Sequence, residues 1–268
     1  MSTNVSDFSK SEAAERPAFI TNLTELIDFR DKVNNGEDFK GKQIIQVCTI
    51  EDLKDWTPIG TMEHPFRGIY SGQNEVFKNI TVQSNGVAGL FGCIEGATIE
   101  DVCIRSGSVT GNKAGGICGH IRFNGTIQRC VNGASVKGIG ENAYAGGICG
   151  DSWGGTLIDC ANNGEIANES KSVSALTAGI AGASYQGIID KCTNKGRVSP
   201  IGGHCGGICA SNNEGTIRYS DNGGVIEGGA NNGSICGWNN GKVEKSSSSI
   251  DTAPIGDGYP MVILIDCY

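Results

Sequence analysis

Cysteine is the residue of this chain that most invites a chemical reading. Twelve occur among 268 residues, and thiolates serve as metal ligands, nucleophiles and disulfide partners. Their placement argues for something blander. At one point of a glycine-flanked motif, Phe91, Cys118, Cys149, Ala181, Cys209 and Cys236 are equivalent. At another, Cys130, Cys160, Cys192, Ser220 and Ser246 are equivalent, headed by Val102 or Cys103. A zinc ligand or a nucleophile does not exchange in register with alanine or phenylalanine, because both roles need the thiolate itself. C-x-x-C does not occur, and the nearest approach to a metal motif, "HCGGIC" with His204, Cys205 and Cys209, has no second pair beside it. Disulfides between neighbouring repeats are sterically conceivable, but a bridge at every repeat would be redundant. The expectation is a set of reduced, buried thiols acting as small hydrophobes, in a reducing setting, with no metal and no cofactor.

The carboxylates follow the same logic. The residue before each second-set cysteine runs Asp101, Arg129, Asp159, Lys191, Tyr219, Lys245, with signs alternating through the first four. Stacked one above another, such residues attract where like charges would repel. A sugar-cleaving pair would be Asp159 with Glu100 or Asp190. Each has a basic neighbour that favours the ionised state over the raised pKa of a general acid, so no catalytic residue is expected. Of the histidines, His64 reads as a solvated loop residue. His120 and His204 have no sequence partner that would make a base. H-E-x-x-H, G-x-S-x-G and a phosphate loop ending in Lys-Ser/Thr are missing.

Two polar or aromatic sets remain. Asn132, Asn162, Asn194 and Asn222, each close to a glycine, read as a structural row at a corner, since asparagine tolerates left-handed backbone and bonds to turn amides. Phe123, Trp153 and Tyr185, followed by Asn213, stand three residues before the opening of each second strand. They are either a stack that stabilises turns or a platform for sugar rings, and they are the candidate ligand-binding residues. Trp238 falls outside that spacing and is assigned to a cap.

The elements that must position these rows are repeats. "GLFG", "GICG", "GICG", "GIAG", "GICA" and "SICG" recur every 27 to 32 residues from Gly89 to Ser234. A "GTIxxC"-like piece and a "GSVTG"-like piece follow most of them, so each repeat holds three short strand-like pieces. One such unit cannot bury an apolar face, whereas a stack of them can. The fold expected is all-β, a right-handed three-sided parallel β-helix. Helical repeats of similar period are disfavoured by 42 glycines and by Val/Ile/Thr-centred pieces. Residues 1–18 read as a polar tail, 19–88 as a cap helix with the first coils, 89–245 as the repeats, and 246–268 as a C-terminal cap strand. The helix is carried by "TNLTELIDFRDKVNNG", with Asn22 and Glu25 as a capping box and Leu23, Leu26, Ile27, Arg30 and Val33 on one face. It would cover the first coil. "YPMVILIDCY" reads as a closing edge or an assembly surface.

"FITNLTELIDFRDKVNNGEDFKGKQIIQV", "WTPIG", "PFRGIYSG", "NITV" and "AGLFG", followed by the "GGICG…GTIxxC" units, resemble the GLUG-motif family over roughly residues 19–250. That resemblance implies a right-handed parallel β-helix of bacterial surface and adhesin-like proteins, also found beside immunoglobulin-A-cleaving peptidases, in a segment not usually assigned catalysis. It implies a cell-surface or extracellular location. The first 17 residues nevertheless contain no apolar core, so no secretory signal is expected in them. A net charge of -8 argues against nucleic acid as partner, and no apolar run is long enough to span a membrane. The expected function is a non-catalytic binding or adhesion module for carbohydrate or a host or cell-surface protein. The alternatives are a fibre or appendage subunit associating through its end strands and, behind it, a polysaccharide-active enzyme.

Overall fold

The computed structural model describes residues 16–249, 255–258 and 263–265. Within them the chain winds into a parallel β-solenoid of about eight turns with one short helix, and every strand pair is parallel. The three pieces expected per repeat divide further. The coil beginning at Lys113 contains five strands, Lys113–Gly115, Cys118–Arg122, Thr126–Gln128, Val131–Asn132 and Ser135–Gly138, distributed over four sheets. A residue in one coil pairs with its equivalent in the next, so the sequence rows become physical rows about 4.8 Å apart.

The core is built from these rows. Leu90, Ile117, Ile148, Ile180, Ile208 and Ile235 form a fully buried spine, and the first cysteine row runs beside it in the expected register. The second row is headed by Val102, buried above Cys130, while Cys103 pairs with Val131. What the sulfurs share with serine is a hydrogen bond. Sγ of Cys130 and Cys160 reaches the carbonyl two residues earlier at 3.3 Å in each case, and Oγ of Ser220 and Ser246 does the same at 3.0 and 3.1 Å. The slot asks for a small donor, which is why Cys and Ser exchange there. Burial pushes the Cys93 and Cys205 thiols up to about 12, far from a reactive thiolate.

The asparagine row is realised in full. Asn132, Asn162, Asn194 and Asn222 are buried, and each Nδ2 donates to the Oδ1 of the next at 2.9 Å. The repeat glycines belong to the same device. A Cβ on Gly116, Gly147, Gly179 or Gly207 would lie 2.1 to 2.4 Å from the amide carbon of the facing asparagine. A second amide row, not foreseen, starts where Asn212 donates to Asn239 at 2.6 Å.

The row before the second cysteines carries a backbone requirement beside the charge pattern expected of it. Asp101, Arg129, Asp159, Lys191, Tyr219 and Lys245 all have φ between 48° and 55°, the left-handed region that places β-branched side chains under most strain. Charge is secondary there. Arg129 pairs with Asp101 at 2.7 Å and with Glu100 at 2.9 Å, but among the described residues no ion pair joins Asp159 to Arg129 or Lys191. Backbone conformation, with solvent exposure, selects this row. We therefore expect Asp159→Gly to leave stability nearly unchanged and Asp159→Val to cost about 1–2 kcal/mol in urea unfolding. Equal effects of the two substitutions would contradict a conformational origin.

The helix Leu23–Asn34 covers the first coils as expected. Asn22 Oδ1 accepts from the Glu25 N–H at 3.0 Å, but Glu25 reaches back to the Thr21 N–H at 2.7 Å rather than to Asn22. Its buried stripe is Leu26, Phe29 and Val33, whereas Leu23 is exposed and Arg30 lies over the Trp56 ring at 4.8 Å. Phe29 packs edge-on against Phe39 and Phe66 and stacks on Tyr70, forming an aromatic plug beneath the helix. The chain enters the sheet earlier than the expected tail boundary, with Ala18–Ile20 pairing Ile44–Gln46. At the other end Ile255–Gly258 and Ile263–Ile265 continue the solenoid by pairing with Cys236–Glu244; the rest of "YPMVILIDCY" lies outside the described residues.

Candidate binding trough

Each glycine-flanked motif makes a sharp corner between two strands, and the corner is concave on its outer side. The backbone there is packed too tightly for side chains. A Cβ on Gly150 would stand 2.7 Å from the Gly119 carbonyl oxygen and 2.8 Å from the Ala114 nitrogen. The outward residues of both strands therefore face one another across a trough that runs along the solenoid axis. Lys113, Tyr144, Leu176 and His204 form one wall row. Cys93, His120, Asp151, Ala183, Ser211 and Trp238 form the floor row, with Cys93 fully buried. Glu95 and Arg122 pair, as do Trp153, Tyr185 and Asn213, along the outer lip.

Of the three expected aromatic residues, the trough brings two together. Trp153 and Tyr185 are register partners on adjacent coils, with ring centroids 5.7 Å apart and planes tilted by 42°. Trp153 is 51% exposed, so about half of its surface is open to a ligand. Phe123 is elsewhere. Arg122, one residue past the Ile121–Ser152 pair, holds the register position next to Trp153. The turn at Phe123–Asn124 carries an extra residue, with both at positive φ. Phe123 is 60% exposed and stands under the Arg122 guanidinium, 5.5 Å from its centroid, at a separate cleft lined by Lys40, Arg67 and Glu95. Trp238 occupies the floor row beside Ser211, within the solenoid.

The trough also contains a buried ionic cluster that the sequence reading passed over. Asp151 is only 2% exposed; its Oδ2 lies 2.5 Å from Lys113 Nζ and 3.2 Å from His120 Nδ1. Burial pushes the Asp151 carboxyl up, but His120 and Lys113 outweigh it and hold the group below its ordinary value. His120 thus has the partner that its sequence neighbourhood lacks. Its ring is 6.5 Å from Trp153, edge to face, and Lys113 Nζ also lies 5.7 Å from the Tyr144 ring centre. A carboxylate held ionised between two basic groups is a positioning and hydrogen-bonding element rather than a proton donor. Lys113, Tyr144, Asp151, Trp153, Tyr185 and Asn213 line a cleft of about 210 Å3.

The other chemistry-bearing candidates are not gathered into a site. Glu100 and Asp190 lie in one row but are separated by Gln128 and Ile158, and each is engaged by an arginine, Arg129 and Arg218. His64 packs over Gly36 and is 4.0 Å from Glu63. His204 sits 3.4 Å from Asn231, with Cys205 and Cys209 buried. Among the described residues, no three His, Cys, Asp or Glu side chains cluster as metal ligands do, and no helix is long and apolar enough to cross a membrane.

The fold and the trough together define a parallel β-solenoid with an outward-facing groove. The same architecture occurs in a crystal structure from Bacteroides ovatus named "putative immunoglobulin A1 protease", which superposes with a TM-score of 0.74. The two chains are 22% identical, and the match covers 94% of this chain and 78% of the other. At that identity the likeness is one of fold. No family model matches the chain, and no curated protein matches it.

Proposed function

We propose that this protein is a non-catalytic carbohydrate-binding module, displayed at a bacterial cell surface, that holds a glycan chain along the trough. The observation that carries the reading is the Trp153–Tyr185 pair, an exposed aromatic surface on the lip of a cleft whose floor supplies polar groups of both hydrogen-bonding senses. Sugar rings present an apolar face and a rim of hydroxyls. Trp153 and Tyr185 suit the face, while Asp151 as acceptor, Lys113 as donor and Asn213 as both suit the rim. Rung spacing places successive binding groups about 4.8 Å apart, so an extended chain of sugars meets a repeating surface. The resemblance to GLUG-motif adhesin-like proteins supports the same reading.

The name of the Bacteroides ovatus neighbour raises peptide hydrolysis instead. The trough favours binding because its one buried carboxylate is held ionised and its nearby thiols, such as Cys93, are shifted away from reactivity. Display of the parent protein on a glycan array, beside Trp153→Ala, tests the proposal. The parent should retain a defined set of glycans, and the variant should lose about tenfold in affinity for them with its fold intact. A parent that retains none, or a variant that binds equally well, overturns it.

A further inference from the structure

The cleft at Phe123 is chemically unlike the rest of the trough. Its volume is about 400 Å3, and its lining is Lys40, Arg67, Glu95, Gly96 and the exposed Phe123 ring. Arg122 joins it from the side, over Phe123 and 2.9 Å from Glu95. Two guanidinium groups thus share one carboxylate, since Arg67 also reaches Glu95, at 2.6 Å. Lys40 is exposed and forms no ion pair among the described residues. Within the lining, Lys40, Arg67 and Arg122 surround the single carboxylate of Glu95, while Glu37, Asp38 and Glu63 stand on the other side of Arg67. The Arg67 Nε is buried with no hydrogen-bond partner among the described residues, an unmet donor in the wall of the cleft.

Glu95, which lines this cleft, also belongs to the lip of the trough. Glu95 and Arg122 pair on adjacent coils, and Trp153 follows Arg122 in the next. Two rungs, about 10 Å at parallel-strand spacing, separate Glu95 from Trp153, a length spanned by a short oligosaccharide. We propose that this cleft is an acid-recognising subsite. A carboxylate-bearing sugar packs its ring on Phe123 and directs its carboxylate to Lys40 and Arg67, while the adjoining sugars lie on Trp153 and Tyr185. This deepens the carbohydrate reading above and rests on it. Opposite charge in a partly enclosed cleft supplies selectivity, and the interaction weakens as salt screens it.

The test is an array carrying neutral oligosaccharides, the same chains ending in a uronic or sialic acid, and their sulfated counterparts. It is probed with the parent, Lys40→Ala and Trp153→Ala, each checked for native circular dichroism. Lys40 and Trp153 are exposed, so both variants should fold. The parent should prefer the carboxylated member of a pair by about tenfold in low salt, less at 1 M salt. Lys40→Ala should lose that preference while keeping the affinity for neutral chains. Equal binding of neutral and carboxylated chains by the parent, or preference confined to sulfated chains, overturns the subsite and leaves the carbohydrate reading standing. Carboxylated chains bound by the parent and by Trp153→Ala alike, but not by Lys40→Ala, overturn the aromatic platform and keep the subsite. Binding of no glycan by the parent overturns both.

Discussion

Replacing Asn162 with alanine should lower stability by about 3 kcal/mol and Tm by on the order of 10 °C. Four hydrogen bonds depend on this one side chain. Its Nδ2 donates to the Gly164 carbonyl and to Asn194 Oδ1, both at 2.9 Å. Its Oδ1 accepts from the Gly164 N–H at 3.2 Å and from Asn132 Nδ2 at 2.9 Å. Alanine removes all four and leaves the backbone groups of a buried corner without those partners, where water does not replace them. Asn162→Asp separates charge from shape. The carboxylate fits the space but cannot donate, so its oxygen faces Asn194 Oδ1 and the Gly164 carbonyl as a repelling acceptor. Its loss of stability should therefore grow as pH rises and the carboxyl ionises. Asn163→Ala, one residue away on an exposed side chain, is the control. Urea unfolding of the three variants decides the matter: an Asn162→Ala effect no larger than that of Asn163→Ala would falsify the row's structural role.

The second large effect is expected at Lys113. Lys113→Met leaves Asp151 buried with His120 beside it and no ammonium, and removing one member of a buried pair is destabilising. About 2–3 kcal/mol is expected near pH 7, reduced from the fully buried case because the Lys113 side chain is 32% exposed. The pH dependence has a definite sign. In the parent, Asp151 has a carboxyl lower in the folded than in the unfolded state. Its contribution is present above the unfolded value near 4 and is lost as pH falls through the depressed folded one. Without the ammonium the folded value moves up, because burial is then opposed by His120 alone. The destabilisation of the variant is then full at neutral pH and fades on acidification through that raised value. Denaturant midpoints at pH 7, 5 and 3.5 should converge between parent and variant. A gap that stays constant across this range would show that the lysine acts through packing alone.

The rows that repeat were legible in the sequence, and those that occur once were not. Asn132, Asn162, Asn194 and Asn222 announce themselves because every coil imposes the same need on the same corner. The cysteine rows are legible for the same reason. The Lys113–Asp151–His120 cluster has no such redundancy, yet a signal existed. His120 and Asp151 each stand four residues after the first glycine of "GICG", so the alignment that revealed the cysteines also stacked this histidine on this aspartate. Catalytic motifs place a histidine's partner along the chain, whereas in a solenoid the partner is one coil away. Phe123 shows the complementary error. Counting back from Thr126 crosses a turn with one extra residue, and counting forward from the corner gives Arg122 as the neighbour of Trp153. Register holds within strands and slips in turns, so it is safest when counted from the nearest strand. In the row from Asp101 to Lys245 the exposure and the Asp101–Arg129 attraction were legible but the left-handed backbone was not, because charges are visible in letters and dihedrals are not.

The corner where glycine meets asparagine has a further consequence. Gly147 makes room for Asn162, and Asn162 bonds upward and downward to identical amides. Each of the four coils from Asn132 to Asn222 thus carries both halves of its own joint, and at this corner any of them can follow another. A gene segment of one repeat length can be duplicated or lost without leaving a mismatched junction. Such an event lengthens or shortens the trough by one rung and introduces or removes one residue on each of its rows. The joint makes ligand length and ligand chemistry quantities that recombination can change in whole units, while the interior stays as it was.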